Sequence, residues 1–393
     1  MKTSVNALSI LQEKGIPCCG CSACESICPK QAIKMQSDRE GFLVPLVNLD
    51  KCVGCHLCDK VCPMLHSGEF SAKCIENAFV GQLTDRTSLL KSQSGGAFWA
   101  LAMATIEDNG IVYGCGYQDH FAATHLRADS IERCENLRGS KYVQSSMGEI
   151  FAMVKKDLQE KKRVLFTGTP CQCAGLSRFL MRKYDNLVIC DLICHGVTTP
   201  RLTESYISDI EREKAAKVVD FKYRFYDGEK TTWGSSFELL TMSTGEKICQ
   251  PVLSCLYYSQ CFVRTSCYVC PFGNKVVSDL TIADAWGIAD FAPDVGDTQF
   301  GVSEILIHNS DKSKELKLMF ERSMNLHPAK FSDLQKYQPC LSRPVKKNMR
   351  RNAYMKIFRK RGAIYTYLVL KRNQNRKRKI KSIFFSLTHC RGK

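Results

Sequence analysis

The chain has 393 residues, 44% of them hydrophobic, which is enough for two or three globular domains with substantial cores. It contains 23 cysteines. The segment from Met1 to Lys14 has no long apolar stretch, which argues against a signal peptide and against a secreted, disulfide-bonded protein. In a cytoplasmic chain, so many cysteines more often supply thiolate ligands for metal.

The positive charge is confined to one end of the chain. The formal net charge is +17, and residues 343–393 contain 18 Lys and Arg but no Asp or Glu, so the preceding 342 residues carry about −1. Such a basic block is typical of a tail that interacts with an anionic surface.

Residues 1–66 are predicted to form a loop-rich α+β ferredoxin domain built on a sequence repeat. A Cys-x2-Cys-x2-Cys-x3-Cys-Pro run occurs at Cys18–Pro29 and again 34 positions later at Cys52–Pro63. In two-cluster ferredoxins, the first three cysteines of a run hold one [4Fe–4S] cluster and the fourth ligates the other cluster. We therefore expect two clusters. The first would use Cys18, Cys21, Cys24 and Cys62, and the second Cys52, Cys55, Cys58 and Cys28.

Zinc or a disulfide set is the alternative for these cysteines. A zinc site needs only two Cys-x2-Cys pairs, so it explains neither the third cysteine nor the trailing proline of each run. The clusters are therefore the favoured interpretation. Cys19 lies between ligands, and we expect it to face away from them and to be structural.

After a short linker at residues 65–73, strands alternate with helices, which predicts an α/β domain over residues 75–330. The predicted elements, in chain order, are strand Ala78–Leu83, helix Gly95–Glu107 with Ser94 as its N-cap, strand Gly110–Tyr117, helix Met147–Glu160, strand Val164–Phe166, helix Cys171–Lys183, strand Leu187–Ile193, helix Thr199–Lys214, strands Val218–Phe225, Phe237–Met242, Leu280–Ala283 and Val302–Ile307, and helix Asp311–Met324.

Two small, glycine-containing motifs in this domain could bind phosphate. Ser94, Gly95 and Gly96 begin a predicted helix, where free backbone N–H groups attract anions. The motif from Gly139 to Lys141 adds a cation to a second small turn. A plain helix N-cap and a surface turn explain the same two motifs.

Four further cysteines could ligate a third cluster at the carboxyl edge of the sheet, where open α/β sheets bind ligands. Cys171 begins a helix, where the helix dipole lowers the pKa of a thiol. Cys194 ends the next strand, on the same edge if the two strands are parallel. Cys267 and Cys270 form a Cys-x2-Cys pair. Alternatively, Cys194 is a core residue and the pair is a zinc half-site or unligated.

Taken in order, six motifs behind the ferredoxin repeat resemble the beta-subunit family of coenzyme F420 hydrogenases and dehydrogenases over roughly residues 18–324. They are Ser92–Gly96, Arg138–Tyr142, Gly168–Gln172, Cys194–Gly196, Arg264–Cys270 and Ser278–Trp286. The sequence departs from the family pattern at Gln93, at Val277 and at Ala285, which leaves the electron acceptor open.

The resemblance implies an FAD-containing α/β domain with a [4Fe–4S] cluster close to the flavin. The implied flavin contacts are Ser94, Gly95, Gly96, Gly139, Ser140, Lys141, Tyr142, Gly168, Thr169 and Pro170. The implied ligands of the nearby cluster are Cys171, Cys194, Cys267 and Cys270.

These parts predict an iron–sulfur flavoprotein oxidoreductase. It would pass electrons between a two-electron carrier or metabolite at FAD and the one-electron clusters, and its partner would be a redox protein or a soluble electron carrier. The alternative is a non-enzymatic electron-relay subunit without flavin that docks on a partner redox enzyme. Iron and flavin content per chain separates the two hypotheses.

The tail, residues 331–393, is predicted to be helical and partly amphipathic. Its apolar stretch Ala363–Leu370 is too short to cross a bilayer. Because apolar residues alternate with cations at helical spacing, we expect a helix on an anionic membrane surface. No recognisable nucleic-acid-binding module precedes it, so a nucleic-acid partner is not expected. The predicted location is cytoplasmic, with peripheral attachment to the inner face of the membrane as a hypothesis. The apolar positions concerned are Tyr354, Ile357, Phe358, Ile364, Tyr367 and Leu368.

Overall fold

The computed structural model describes residues 6–73, 75, 77–226, 232–292, 294–309 and 311–389, with side chains described up to residue 375. The strands are β1 Ile33–Ser37, β2 Leu43–Val47, β3 Asn77–Leu83, β4 Ile111–Gln118, β5 Ala122–Ala128, β6 Val164–Gly168, β7 Leu187–Leu192, β8 Val218–Phe225, β9 Phe237–Met242, β10 Lys247–Gln250, β11 Leu280–Asp284, β12 Ser303–Ile307 and β13 Met324–Ala329. The helices are α1 Ala7–Glu13, α2 Ala23–Ile27, α3 Leu57–Lys60, α4 Arg86–Leu90, α5 Ala97–Glu107, α6 Ile131–Glu135, α7 Ile150–Gln159, α8 Pro170–Leu180, α9 Pro200–Lys214, α10 Val252–Tyr258, α11 Ile288–Phe291, α12 Ser313–Glu321, α13 Phe331–Tyr337 and α14 Arg351–His389.

An eight-stranded sheet in the order β13-β3-β12-β11-β7-β6-β4-β5 forms the centre of the molecule. Four consecutive strands in this order, β11, β7, β6 and β4, are parallel. They are mostly continuous apolar runs, as expected for strands covered on both faces. The predicted α/β domain is therefore confirmed. On either side of the parallel centre the strands are antiparallel.

The predicted helix Asp311–Met324 is too long at its C-terminal end. In the structure the helix ends at Glu321, and Met324 begins the edge strand β13, which pairs with β3. Burial along this strand alternates at its start, with Met324 buried and Asn325 exposed. Such alternation indicates a strand. Because the segment has only six residues and follows a strong helical pattern, its sequence alone resembles a continuation of the helix.

The ferredoxin segment shares its core with the α/β domain. It consists of α1 to α3 and one antiparallel pair, β1 and β2. Ala7, Leu11, Val61 and Met64 are buried in one hydrophobic cluster with side chains of α7 and α8, such as Phe151. The segment is therefore packed directly against the sheet domain and does not hang from a free linker.

Polar contacts fix the same interface. The Arg264 guanidinium donates to the backbone oxygens of Cys18 (2.8 Å) and Leu43 (2.9 Å). Arg351 of α14 pairs with Glu40, with Nη1 2.9 Å from Oε1, and both groups are largely buried. The Arg351 guanidinium accordingly lowers the pKa of the Glu40 carboxyl. Three parts of the chain, namely helices α7 and α8, the segment at Arg264, and the start of α14, thus hold the ferredoxin segment in one orientation.

A second sheet, in the order β10-β9-β8, packs with α9, α10 and α14 around a third hydrophobic cluster. The first half of α14 contributes much of this cluster. Helix α14 is interrupted at Gly362 (φ 78°), where the chain passes so close to α9 that an added Cβ would lie 2.9 Å from Ser205 Oγ. The buried side chains of α14 in this cluster are Tyr354, Met355, Phe358, Ala363, Tyr367 and Leu370.

The expectation that the apolar face of the tail lies on a membrane is wrong for residues 351–370. Three of the six residues on which it depended, Tyr354, Phe358 and Tyr367, are buried against the protein itself. Only Leu368, which is 55% exposed, clearly points away. Among the described helices, none is both long enough and apolar enough to cross a membrane.

The packing of α14 predicts a difference between two matched truncations. Phe358→Ala should lower the free energy of unfolding by about 3 kcal/mol, because it removes a buried ring that contacts Phe262. Leu368→Ala, on the exposed side of the same helix, should change it by less than about 0.5 kcal/mol. Urea unfolding followed by circular dichroism measures both. Equal losses would show that this face does not pack as described.

Candidate functional site

Each of the two predicted ferredoxin ligand sets surrounds its own small cavity. One cavity is lined by Cys18, Cys21, Cys24 and Cys62, and the other by Cys28, Cys52, Cys55 and Cys58. These are the crossed sets expected from the repeat, in which the fourth cysteine of each run joins the three cysteines of the other. The donors present in each cavity therefore fit a [4Fe–4S] cluster.

The sequence repeat is also a repeat of backbone conformation. Gly20 and Gly54, 34 positions apart, both have positive φ, and so do the equivalent Ser22 and His56. These left-handed residues turn the chain around each cavity, so that three cysteines point inward. Backbone N–H groups then face the sulfurs: Gly20 donates to Cys18 Sγ at 3.3 Å.

Burial disfavours the thiolate form of three of these cysteines. It raises the pKa of Cys58 and of Cys62 to about 11, and the pKa of Cys24 well above its usual value. Thiolate ligands in such a pocket need the positive charge of a metal, and metal binding would release their protons.

The four cysteines of the implied third set are neighbours in the structure. Strands β6 and β7 are parallel, so their carboxyl ends lie at one edge, where Cys171 lies in the first turn of α8 and Cys194 follows β7. Burial and the nearby thiols of Cys267, Cys171 and Cys270 raise the pKa of Cys194. Gly196 permits this approach, because an added Cβ would lie 3.3 Å from Cys267 Cβ. Within the described ranges, no three Cys, His, Asp or Glu residues have the geometry of a single-ion site.

The expectation that Cys19 faces away from the ligands is wrong. Its thiol lies beside those of Cys171 of the third set and Cys21 of the first, and these neighbours shift its pKa. Helix α8 supports this contact through Gly175, where an added Cβ would lie 3.0 Å from Cys21 Sγ. Cys19 therefore joins the two sets directly, which its spacing in the sequence did not indicate.

A cavity of about 410 Å³ opens at the same edge of the sheet. Cys194 lines it, and so do eight of the ten residues predicted to contact a cofactor: Ser94, Gly96, Gly139, Ser140, Lys141, Tyr142, Gly168 and Thr169. The structure thus brings three separate motifs to one cavity.

The two remaining residues, Gly95 and Pro170, do not line the cavity. An added Cβ on Gly95 would lie 2.2 Å from the Gly81 oxygen, so this glycine lets the turn pack on the sheet. Pro170 is the buried first residue of α8. The predicted cap is also shifted: α5 begins at Ala97 after Gly96, and the Ser94 hydroxyl donates to the Val302 oxygen at 2.9 Å.

Lys141 is largely occupied by the protein. Its ammonium donates to the backbone oxygens of Arg138 (2.7 Å) and Leu137 (3.3 Å) at the end of α6, and burial lowers its pKa to about 8. Arg138, which the sequence analysis did not select as a site residue, is the stronger cation. Its guanidinium lies 4.0 Å from the Trp99 ring centroid and donates to Ser92 Oγ at 2.9 Å. Its Nε is buried without a partner among the described residues.

One residue that lines the cavity, Trp286, belongs to a stacked aromatic pair. Trp286 stacks on Trp233, with ring centroids 4.7 Å apart and an interplanar angle of 13°. Asp284 accepts from Trp233 Nε1 (3.1 Å) and from the buried Arg224 (2.7 Å), so the pair of rings is held rigidly. Arg224 and Trp233 were missed because their partner Asp284 lies more than 50 residues away in the chain.

Comparisons with known proteins agree with this organisation. Residues 17–65 match the model of the 4Fe-4S dicluster domain, which confirms the predicted iron–sulfur character of the N-terminal segment. Residues 161–329 match the model of the C terminus of the coenzyme F420 hydrogenase/dehydrogenase beta subunit. A search of curated protein sequences gave no significant match. Among solved structures, a chain of the F420-reducing [NiFe] hydrogenase complex from Methanosarcina barkeri is similar, with 17% identity and a TM-score of 0.45 over 69% of this chain and 89% of that chain. The chain thus carries a 4Fe-4S dicluster domain, followed by a region that matches the C terminus of the coenzyme F420 hydrogenase/dehydrogenase beta subunit.

Proposed function

We propose that this protein is an iron–sulfur flavoprotein oxidoreductase, in which FAD occupies the cavity at the carboxyl edge of the sheet. The observation that carries the proposal is the meeting of three glycine-containing motifs and Cys194 at that one cavity. Bound FAD would supply the exchange between two-electron and one-electron chemistry. The chain's own residues hold the cofactor and exclude water.

The cavity residues fit the two ends of a flavin dinucleotide. The turn at Gly96 and the motif Gly139–Ser140 offer backbone N–H groups. The Nε of Arg138, which has no partner within the described part of the chain, offers a buried positive donor for a pyrophosphate. The rigid indole pair at Trp286 offers an apolar face for a planar ring. Half-buried His195 also lines the cavity, and burial lowers its pKa, so it would be neutral there.

The ligand sets give the electron path an order. Cys194 of the third set lines the cavity, Cys19 connects Cys171 of that set with Cys21 of the first, and the first set exchanges its fourth ligand with the second. Electrons would therefore pass along the cavity, the third set, the first set and the second set. The packed ferredoxin segment keeps this order fixed.

The second set is the natural contact for a redox partner protein. Cys55 is exposed, and three large apolar side chains nearby in the sequence are more than half exposed: Leu46, Leu49 and Val53. An apolar surface of this kind beside an electron-transfer centre suits a weak, transient protein contact.

Cofactor content tests the proposal directly. Protein purified without oxygen should contain about 12 iron atoms and about one FAD per chain, on the basis of three [4Fe–4S] clusters. About 8 iron atoms and no flavin released on denaturation would reject the flavoenzyme and leave an electron-relay subunit.

A pair of substitutions at Ser140 tests the place of the flavin. Ser140→Glu should abolish retention of FAD, because it puts a carboxylate where a pyrophosphate would bind. Ser140→Gln adds similar bulk without charge and should retain FAD. Iron content should stay unchanged in both variants. FAD retained at the wild-type level by Ser140→Glu would show that the pyrophosphate binds elsewhere.

Double substitutions test the crossed ligand sets. Cys28→Ser and Cys52→Ser should each remove about 4 iron atoms, and the double variant should remove no more, because both residues hold one cluster. Cys28→Ser combined with Cys18→Ser should remove about 8. The crossed assignment is falsified if the first double variant loses as much iron as the second.

A further inference from the structure

Arg264 is a buried cation between the ferredoxin segment and the α/β domain. Three arginines of the described chain are almost fully buried, each 3% exposed. One of them, Arg351, is paired with Glu40. The second, Arg224, is paired with Asp284. Arg264 is the third, and it forms no ion pair with a carboxylate in the described ranges. Its charge is therefore not compensated by the residues that the structure describes.

The acceptors around the Arg264 guanidinium are all neutral. Its Nε donates to the backbone oxygen of Cys18 at 2.8 Å. Its Nη1 donates to the backbone oxygen of Leu43 at 2.9 Å and to Gln144 Oε1 at 3.2 Å. Neutral acceptors orient a guanidinium but do not cancel its charge, and a buried charge without a counter-ion is costly. We therefore expect a bound anionic group to compensate it.

The guanidinium lies directly against the loop of the first ligand set. Besides its hydrogen bond to the backbone of Cys18, it contacts the loop at Gly20, where an added Cβ would lie 2.9 Å from Arg264 Nη1. The backbone N–H of Gly20 in turn donates to Cys18 Sγ at 3.3 Å. A glycine at this position thus lets the cation approach the ligand loop closely.

The same residue also belongs to the segment that carries the third ligand set. The Arg264 backbone oxygen accepts from the Cys267 N–H at 3.0 Å. Burial raises the pKa of the Cys267 thiol to about 11, and the positive charge of Arg264 acts against this rise. Arg264 therefore lies close to both the first and the third set. In the described ranges it hydrogen-bonds with no cysteine of the second set.

Clusters in these two sets would supply the missing negative charge. A [4Fe–4S] cluster with four thiolate ligands is anionic, and one-electron reduction makes it more negative. Coulomb attraction is stronger in a buried site than in water. A fixed cation beside such a cluster therefore stabilises its reduced form more than its oxidised form, which raises the reduction potential.

We propose that Arg264 is the shared counter-ion of the first and third clusters, and that its charge raises the reduction potentials of these two clusters but not of the second. The inference rests on the third cluster of the proposed function. Arg264 is a positioning residue, since it contacts neither substrate nor flavin. It stabilises an electron at the interface between the two domains, and so favours transfer of that electron out of the cavity and into the ferredoxin segment.

Three substitutions separate the charge of Arg264 from its structural contacts. Arg264→Gln removes the charge and should disfavour reduction of the first and third clusters at least tenfold, a fall of about 59 mV in each one-electron potential. Arg264→Lys keeps the charge and should retain the wild-type potentials. Gln144→Glu keeps the guanidinium and places a carboxylate beside Nη1, so it should lower the same two potentials. Redox titrations of the anaerobically purified full-length protein, followed by electron paramagnetic resonance, measure these values.

A matched control removes a buried ion pair from the same interface without changing the net charge. The double variant Glu40→Gln, Arg351→Gln should keep all three potentials at their wild-type values. The variant Cys52→Ser, which should lack the second cluster, identifies the signal that belongs to that cluster.

Wild-type potentials in both Arg264→Gln and Gln144→Glu would overturn the inference, and so would an equal fall in Arg264→Lys. If Arg264→Gln loses iron, Gln144→Glu still decides the question, because every donor of the guanidinium remains in place. A wild-type protein with about 8 iron atoms would instead reject the third cluster of the proposed function. The potential of the first cluster would then still test the role of Arg264.

Discussion

The proposed electron path depends on one close contact, between Cys21 of the ferredoxin segment and Gly175 of α8. Cys21 packs on Gly175 so tightly that any larger residue would collide with its sulfur. Glycine within a helix lowers helix stability by up to about 1 kcal/mol relative to alanine. Here that cost is offset by the burial of α1, α2 and the residues around Met64 against α7 and α8. The same contact brings Cys19 beside Cys171.

Parallel strands explain how residues far apart in the chain meet at one cavity. The carboxyl ends of β6, β7 and β11 lie at one edge, so Thr169 and Cys194, which follow their strands, meet Asp284, the last residue of β11. The turn before α5 and the segment after α6 supply the small residues around Gly96 and Ser140. Ligands of open α/β sheets bind at this edge for the same reason.

Features that depend on residues close together in the chain could be predicted from the sequence, and features that depend on distant residues could not. The crossed cysteine sets come from local spacing, and the parallel strands from local apolar runs, so both were accessible. The grouping of Cys171 with Cys267 came only from the family resemblance, since spacing left it open. Whether Arg138 or Lys141 is available to a ligand depends on which acceptors already occupy its N–H groups. Lys141 donates its hydrogen bonds to backbone oxygens that follow α6, whereas the buried Nε of Arg138 has no partner in the ranges that the structure describes.

The tail shows that an amphipathic pattern alone does not identify the surface against which its apolar face packs. Helical spacing of apolar residues predicts a buried face, and a membrane or another protein surface would satisfy it equally. Residues elsewhere in the chain decide between these two surfaces. Helix α9 contributes Leu202, Tyr206 and Ile210 to the same hydrophobic cluster, and α14 covers them. Arg351, the first residue of α14, also pairs with Glu40 of the ferredoxin segment. The first half of the tail therefore helps to hold that segment in place. The basic charge beyond residue 370 is then carried on a helix whose start is fixed by the protein core, which sets where that charge can reach.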